Sequence, residues 1–163
     1  MDLSKLRTPD WVIGVSGVLF IIDAFLPWAS VHFPGVVLPN GSTFGGVTAT
    51  SDGLGSPQGI WIILAFIIAI VMVGQIVLSR LTTVSVPDLG AVSWGQVHVV
   101  GGIAILVLSV LKLVAVRHYI GFGAWIGIVL GVALTVGGAQ LARMPSEPAG
   151  GVGPVMPPSS PLA

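Results

Sequence analysis

The sequence predicts an all-α membrane protein: a bundle of four transmembrane helices with a small extracytoplasmic hairpin and a disordered C-terminal tail. Hydrophobic residues make up 54% of the 163-residue chain and charged residues only 7%, whereas soluble domains carry about 25% charged residues. Four apolar stretches are each about 20 residues long, the length that crosses a bilayer as a helix. The five tryptophans fall at or near the ends of these stretches, as expected of side chains in the membrane interface. They are Trp11, Trp28, Trp61, Trp94 and Trp125.

The apolar stretches place the spans at about 11–31, 58–79, 96–116 and 119–142, within one transmembrane domain over 11–143. Each stretch is too long and too uniformly apolar for a core strand or a soluble amphipathic helix. Lys and Arg in short loops set the orientation, and with the N-terminal segment 1–10 inside, four basic residues are cytoplasmic and two lie near the outer face. The inner ones are Lys5, Arg7, Arg80 and Arg143; the outer ones are Lys112 and Arg117. We therefore expect a multi-pass cell-membrane protein with both termini in the cytoplasm.

The segments outside the spans also carry signals. The loop 32–57 has no Lys or Arg, and Asn40-Gly41 lies between two short β-branched or aromatic runs, which is typical of a hairpin. The tail 144–163 is rich in Pro, Gly and Ser, which favours disorder. A basic start before an apolar run also fits a signal peptide, but Pro27 stands where a cleavage site after Ala29 needs a small residue. We favour a first span that is retained.

Asp23 is the one charged residue in the first span. Ser16, Asp23 and Ser30 recur every seven residues and so share a helix face, which should point into the bundle because a charged carboxylate in hydrocarbon is costly. Pro27 cannot donate a hydrogen bond to the Asp23 carbonyl, so we expect a kink there.

On the third span, Lys112 ends a stripe in a 4–3 pattern that also includes His98, Gly102, Ile105 and Ser109. One interpretation is an Asp23–Lys112 ion pair; the other is that Lys112 snorkels to the interface while Asp23 is protonated or bound to water.

Two further patterns predict helix contacts. Four polar residues at the inner ends of the spans, Gln75, Gln96, His98 and Gln140, could form an interhelical hydrogen-bond ring or simply end the helices at the head groups. The fourth span carries a ridge of small residues at every fourth position, Gly123, Gly127, Gly131, Thr135 and Ala139. Such a ridge lets helix backbones approach closely. It packs either within the chain, against the first or third span, or in a dimer or a complex with another membrane protein.

Catalytic and cofactor motifs are missing from the sequence. There is no cysteine, and the three histidines, His32, His98 and His118, have no metal-ligand spacing. The net charge of zero argues against nucleic acid as a partner. We therefore predict no cofactor and no metal. The expected partners are the lipid bilayer and either another membrane protein or further copies of the chain.

Several segments resemble a loose group of small four-span membrane proteins from actinobacteria. These are FLPWAS at the end of the first span, SWGQVHVVGG at the start of the third, and GAWIGIVLGVALTVGG in the fourth. The resemblance implies a four-span fold and brings no activity or site residue with it. The resulting expectation is a non-enzymatic accessory or assembly partner in a cell-envelope membrane complex. The alternative is a small oligomeric transporter or proton- or ion-conducting protein that uses Asp23, Lys112 and His98.

Overall fold

The computed structural model describes residues 6–55, 58–82, 89–90 and 92–144. These residues form four α-helices: α1 (Thr8–Asp23), α2 (Ile60–Ile76), α3 (Trp94–Ala115) and α4 (Phe122–Ala142). One turn of π-helix, Val77–Leu81, continues α2. The tail for which we predict disorder lies outside the described residues, apart from Met144.

Three helices are long and apolar enough to cross a membrane: Ile60–Leu81, Trp94–Ala115 and Phe122–Ala142. The first helix, α1, has 16 residues. At about 1.5 Å per residue it is roughly 24 Å long, which is less than the hydrocarbon thickness of about 30 Å. The prediction of a single helix over 11–31 is therefore wrong, because α1 ends at Asp23 and the chain continues as a β-strand from Pro27.

The helix ends are fixed by local sequence. In α1, Pro9 occupies the first turn, where a missing N–H costs nothing. The Asp10 carboxylate accepts a hydrogen bond from the Arg7 backbone N–H at 3.0 Å. In α3, Ser93 and Gln96 form a capping box: the Gln96 N–H donates to Ser93 Oγ at 3.2 Å, and the Ser93 N–H donates to Gln96 Oε1 at 3.0 Å. Such boxes satisfy helix N–H groups that have no partner within the helix.

A long hairpin connects α1 to α2. Strand β1 (Pro27–Phe33) pairs antiparallel with β4 (Val47–Asp52), and β2 (Val36–Val37) pairs with β3 (Thr43–Phe44). We call Pro27–Asp52 the β-ribbon. At its tip, Asn40 Oδ1 accepts hydrogen bonds from Ser42 N–H at 3.0 Å and from Ser42 Oγ at 2.7 Å. The hairpin predicted around Asn40-Gly41 is confirmed. However, β1 begins at Pro27, before the start of the predicted loop 32–57.

The helices enclose two apolar clusters. The larger one, here the core cluster, draws on all four helices and consists of Ile13, Phe20, Ala65, Ala69, Met72, Ile76, Ile105, Leu130 and Leu134. The smaller one, the Trp28 cluster, consists of Ala24, Trp28, Ile62 and Ala124. The stripe predicted on α3 forms its buried face: His98, Gly102, Ile105, Ser109 and Lys112. Apolar side chains on the opposite helix faces are exposed, as expected of surfaces that meet lipid.

Candidate functional site

Between α1 and the β-ribbon the chain changes from helix to strand within four residues. Pro27 has no N–H for the Asp23 carbonyl four residues earlier. That carbonyl instead accepts hydrogen bonds from the Leu26 N–H at 2.9 Å and from Trp28 Nε1–H at 2.9 Å. Because both donors lie just beyond the helix, α1 ends at Asp23. The kinked but continuous helix that we predict from the sequence is therefore not formed.

Trp28 closes this end of the bundle. Its side chain is fully buried, whereas Trp11 and Trp125 are 47% and 58% exposed. The indole packs against two glycines of α4, since a Cβ on Gly123 would lie 2.9 Å from Trp28 Cδ1 and one on Gly127 would overlap the ring. Trp28 is thus enclosed by protein and is not exposed as an interfacial tryptophan would be. It is a core side chain whose polar N–H is satisfied by the end of α1.

The Asp23 carboxyl group lies near the Trp28 ring, since both pack against Gly127 of α4. Its residue is 1% exposed, and neither Oδ1 nor Oδ2 has a partner among the described residues. Oδ2 faces the α4 backbone, where a Cβ on Gly127 would lie 2.9 Å away. A buried polar group without a partner is costly, so this position is unfavourable for stability.

Ser109 on α3 is a second buried polar group in this region. It is fully buried, and its Oγ also has no partner among the described residues. Phe20 and Ile105 both belong to the core cluster. The next buried residues toward the Trp28 end are Asp23 on α1 and Ser109 on α3. Lys112 follows one turn later. We call Asp23, Ser109 and Lys112 the polar layer, which lies between the core cluster and the Trp28 cluster.

Lys112 does not pair with Asp23. Although its side chain is fully buried, its Nζ donates to the Gly55 carbonyl at 2.9 Å. The Gly55 N–H in turn donates to the Asp52 carboxylate at 2.6 Å. The Asp23–Lys112 ion pair, one of the two interpretations of the sequence, is thus not formed. The reason is the loop after β4, which folds over the bundle end and supplies a nearer acceptor.

The polar ring predicted at the other end of the bundle is not formed among the described residues. His98 is fully buried, and its Nδ1 lies 2.8 Å from the Trp94 carbonyl while its Nε2 lies 3.4 Å from the Met72 carbonyl. Gln96 is used by the α3 capping box, and Gln140 is exposed. Gln75 has no hydrogen bond to any of the other three. The ring is therefore replaced by a helix cap at Gln96 and by contacts with backbone carbonyls at His98.

The small-residue ridge of α4 packs within the chain, against both neighbours that the sequence allowed. Gly123 and Gly127 contact Trp28. Gly131 meets α3, since a Cβ there would lie 3.1 Å from Leu106 Cα. Thr135 also meets α3, where a Cβ on Gly102 would lie 2.7 Å from Thr135 Cα. The contact continues at two glycines that the ridge did not include. Gly137 faces Ile13, and a Cβ on Gly138 would lie 2.7 Å from the His98 carbonyl carbon. Ala139, the last residue of the predicted ridge, is only partly buried.

An ion pair that we did not predict joins α1 to the end of α2. Arg80 Nε lies 3.2 Å from Asp10 Oδ2, and the Asp10 side chain is 1% exposed. The sequence did contain a signal for Asp10, since a carboxylate in the first turn after a proline is typical of a helix start. Its partner could not be found in the same way, because Arg80 is 70 residues away in the chain.

The described residues include no group of three His, Asp or Glu side chains that could hold a metal ion. Comparisons of the chain with protein-family models, with curated proteins and with solved structures gave no match. The functional argument therefore depends on the polar layer, the β-ribbon and the surfaces of the bundle.

Proposed function

We propose that this chain is a non-enzymatic accessory or assembly subunit of a cell-envelope membrane complex, and that it contacts its partner through the β-ribbon. The observation that carries the proposal is the apolar surface of the ribbon. Its large exposed apolar side chains are Phe33, Val36, Val37, Leu38, Phe44 and Val47, of which Phe44 is 75% exposed. Between residues 32 and 51 there is no Lys, Arg, Asp or Glu. Exposed apolar patches of this kind mark contact sites.

The backbone of β4 supports the same interpretation. The Ser30 N–H donates to the Tyr119 carbonyl at 2.7 Å, so the backbone polar groups of Ser30 point away from β4. Hydrogen-bonded and non-hydrogen-bonded pairs alternate in an antiparallel ladder. Thr50, which lies opposite Ser30, therefore points its N–H and C=O toward the other edge, as does Thr48. Among the described residues no strand pairs with that edge.

From Val47 to Ser51 this open edge has no charged residue and no proline, and such an edge is a template for a further strand. Natural proteins usually protect such edges, and addition of an extended segment is a common mode of recognition. The occupant we propose is an extended, apolar extracytoplasmic segment of a larger membrane protein. The α4 ridge does not offer an alternative contact, because its glycines already pack inside the chain.

Site-specific photocrosslinking in native membranes tests this proposal. A photoreactive residue at Phe44 is expected to give one discrete product with a larger membrane protein. The matched control is Val129, which is 67% exposed on α4 and faces away from the bundle; it is expected to give no such product.

Thr50→Pro then tests the edge itself. Proline removes only the N–H that points away from β1, so the β1–β4 ladder is preserved, whereas Thr50→Val keeps that N–H. We expect Thr50→Pro to lose the Phe44 product and the co-purifying partner in mild detergent, and Thr50→Val to keep both. Retention of the partner by Thr50→Pro, or a Phe44 product that joins only two copies of this chain, would contradict the proposal.

The polar layer favours a second candidate function, conduction of protons or ions by an oligomer through Asp23, Lys112 and His98. Within the part of the chain that the structure describes, the buried Asp23 carboxyl and Ser109 hydroxyl groups have no hydrogen-bond partner, and buried polar groups of this kind are typical of an intramembrane site. Against this candidate, the core cluster separates the polar layer from His98. If the chain conducts, liposomes containing it show a proton or cation flux that Asp23→Asn lowers at least tenfold and that Glu147→Gln, a matched change in the C-terminal tail, leaves unchanged. Equal flux through wild-type protein and Asp23→Asn would exclude this route.

A further inference from the structure

The direction of the β-ribbon is set at its base. Between residues 32 and 50 every residue is exposed except Gly35, which is partly buried. A two-stranded hairpin that packs on nothing is marginally stable, so the distal part of the ribbon cannot fix its own angle to the bundle. From Pro27 to Phe33 six residues extend about 20 Å, so a rotation of about 10° at the base moves Phe33 by about 3–4 Å.

The two strands at the base are held by different parts of the bundle. On the β1 side, the Ser30 N–H donates to the Tyr119 carbonyl at 2.7 Å, and the Gly121 N–H donates to the Trp28 carbonyl at 2.9 Å. These contacts join β1 to the connection between α3 and α4. On the β4 side, the contacts come from the residues that directly follow the strand, and we call residues 53–55 the strap.

Each of the three strap residues contacts the bundle. The Gly53 N–H donates to the carbonyl of Ala24, just after α1, at 2.9 Å. Leu54 packs against the Trp28 cluster. The Gly55 carbonyl accepts a hydrogen bond from Lys112 Nζ of α3 at 2.9 Å. The strap therefore joins the end of β4 to α1, to the Trp28 cluster and to α3.

The contact with Lys112 differs from the other two because it involves a buried charge. Lys112 is fully buried, and a buried ammonium group that loses a hydrogen-bond acceptor is strongly destabilised. The Asp52 carboxylate accepts the Gly55 N–H at 2.6 Å and also attracts the Lys112 ammonium group. A polar chain thus leads from α3 through Gly55 to Asp52, the last residue of β4. Desolvation of Lys112 favours the position of the strap in which this chain is complete.

We propose that Lys112 is the positioning residue of the β-ribbon: its ammonium group holds the strap, and the strap fixes the angle at which β4 leaves the bundle. The open edge of β4 is then presented to the partner in one direction, a consequence that rests on the proposed function. Methionine at position 112 would keep an unbranched side chain of similar length but could not donate to Gly55.

Distances between two spin labels on the full chain in liposomes test the positioning. The chain has no cysteine, so Phe44→Cys and Val129→Cys place one label on the ribbon and one on the exposed face of α4. We expect a narrow distance distribution in the otherwise wild-type chain and one about twofold broader or more in Lys112→Met, because the ribbon loses a contact at its base. The matched control is Ser109→Ala, one turn earlier on the same buried face of α3, which leaves the strap contacts in place.

Two results would overturn the positioning role. One is an unchanged distribution in Lys112→Met, and the other is equal broadening in Ser109→Ala, which would mean that any change in the bundle interior loosens the ribbon. If Lys112→Met does not fold, Asp52→Ala decides the question. Asp52 is exposed, and the substitution removes the acceptor of the Gly55 N–H while Lys112 stays in place.

Photocrosslinking from Phe44 in native membranes tests the consequence for the partner. Lys112→Met is expected to lower the yield of the partner product about fivefold or more, since fewer molecules present the edge in the competent direction, whereas Ser109→Ala keeps the yield. Equal yields from Lys112→Met and wild-type protein would contradict this consequence. If wild-type protein gives no partner product, the proposed function fails, and the spin-label distances still decide whether Lys112 positions the ribbon.

Discussion

Trp28→Ala is expected to destabilise the folded chain by about 3–5 kcal/mol, the usual cost of truncating a fully buried tryptophan. The loss has two parts. The indole fills the end of the bundle between α1 and α4, where it contacts Gly123 and Gly127. Its Nε1–H also donates to the carbonyl of Asp23, to which Pro27 cannot donate because it has no N–H. An alanine would leave both a cavity and a buried carbonyl with one donor fewer.

Unfolding in mixed detergent micelles, followed by tryptophan fluorescence and circular dichroism, measures this effect. Trp125→Ala is the matched control, because Trp125 is 58% exposed on the outside of α4. We expect it to change the free energy of unfolding by less than about 0.5 kcal/mol, as is usual for exposed positions. If the two variants were equally stable, Trp28 would be an interfacial side chain and not a core one.

Hydropathy located the helices but could not show where the first one ends. The apolar run continues through Asp23 and Pro27 into residues that form β1. A proline four residues after a carbonyl is compatible with a kinked helix or with a helix end. What decides between them is the pairing of β1 with β4, about twenty residues later, and the burial of Trp28 under α4. Neither contact can be predicted from the local sequence.

Periodicity was more informative about faces than about partners. The 4–3 stripe on α3 and the small-residue ridge on α4 both identified buried surfaces. The stripe could not show that Lys112 bonds to the Gly55 carbonyl, because a backbone acceptor in a loop leaves no pattern in the sequence. The same holds for Asp10, whose helix-capping role is local and whose partner Arg80 is distant. Pairings between elements therefore required the structure.

Gly102→Ala is expected to force α3 and α4 apart and to cost about 1–3 kcal/mol or more, the range for overpacking a close-packed core. A Cβ on Gly102 would lie 2.7 Å from both N and Cα of Thr135. Because those atoms belong to a helix backbone, they cannot turn away as a flexible side chain could. The matched control is Gly74→Ala on α2, where a Cβ meets nothing within 4 Å. There the higher helix propensity of alanine should stabilise the chain by up to about 1 kcal/mol. The two substitutions are chemically identical, so opposite signs in detergent unfolding would isolate helix contact as the cause. Equal shifts of the same sign would mean that α3 and α4 do not meet at Gly102.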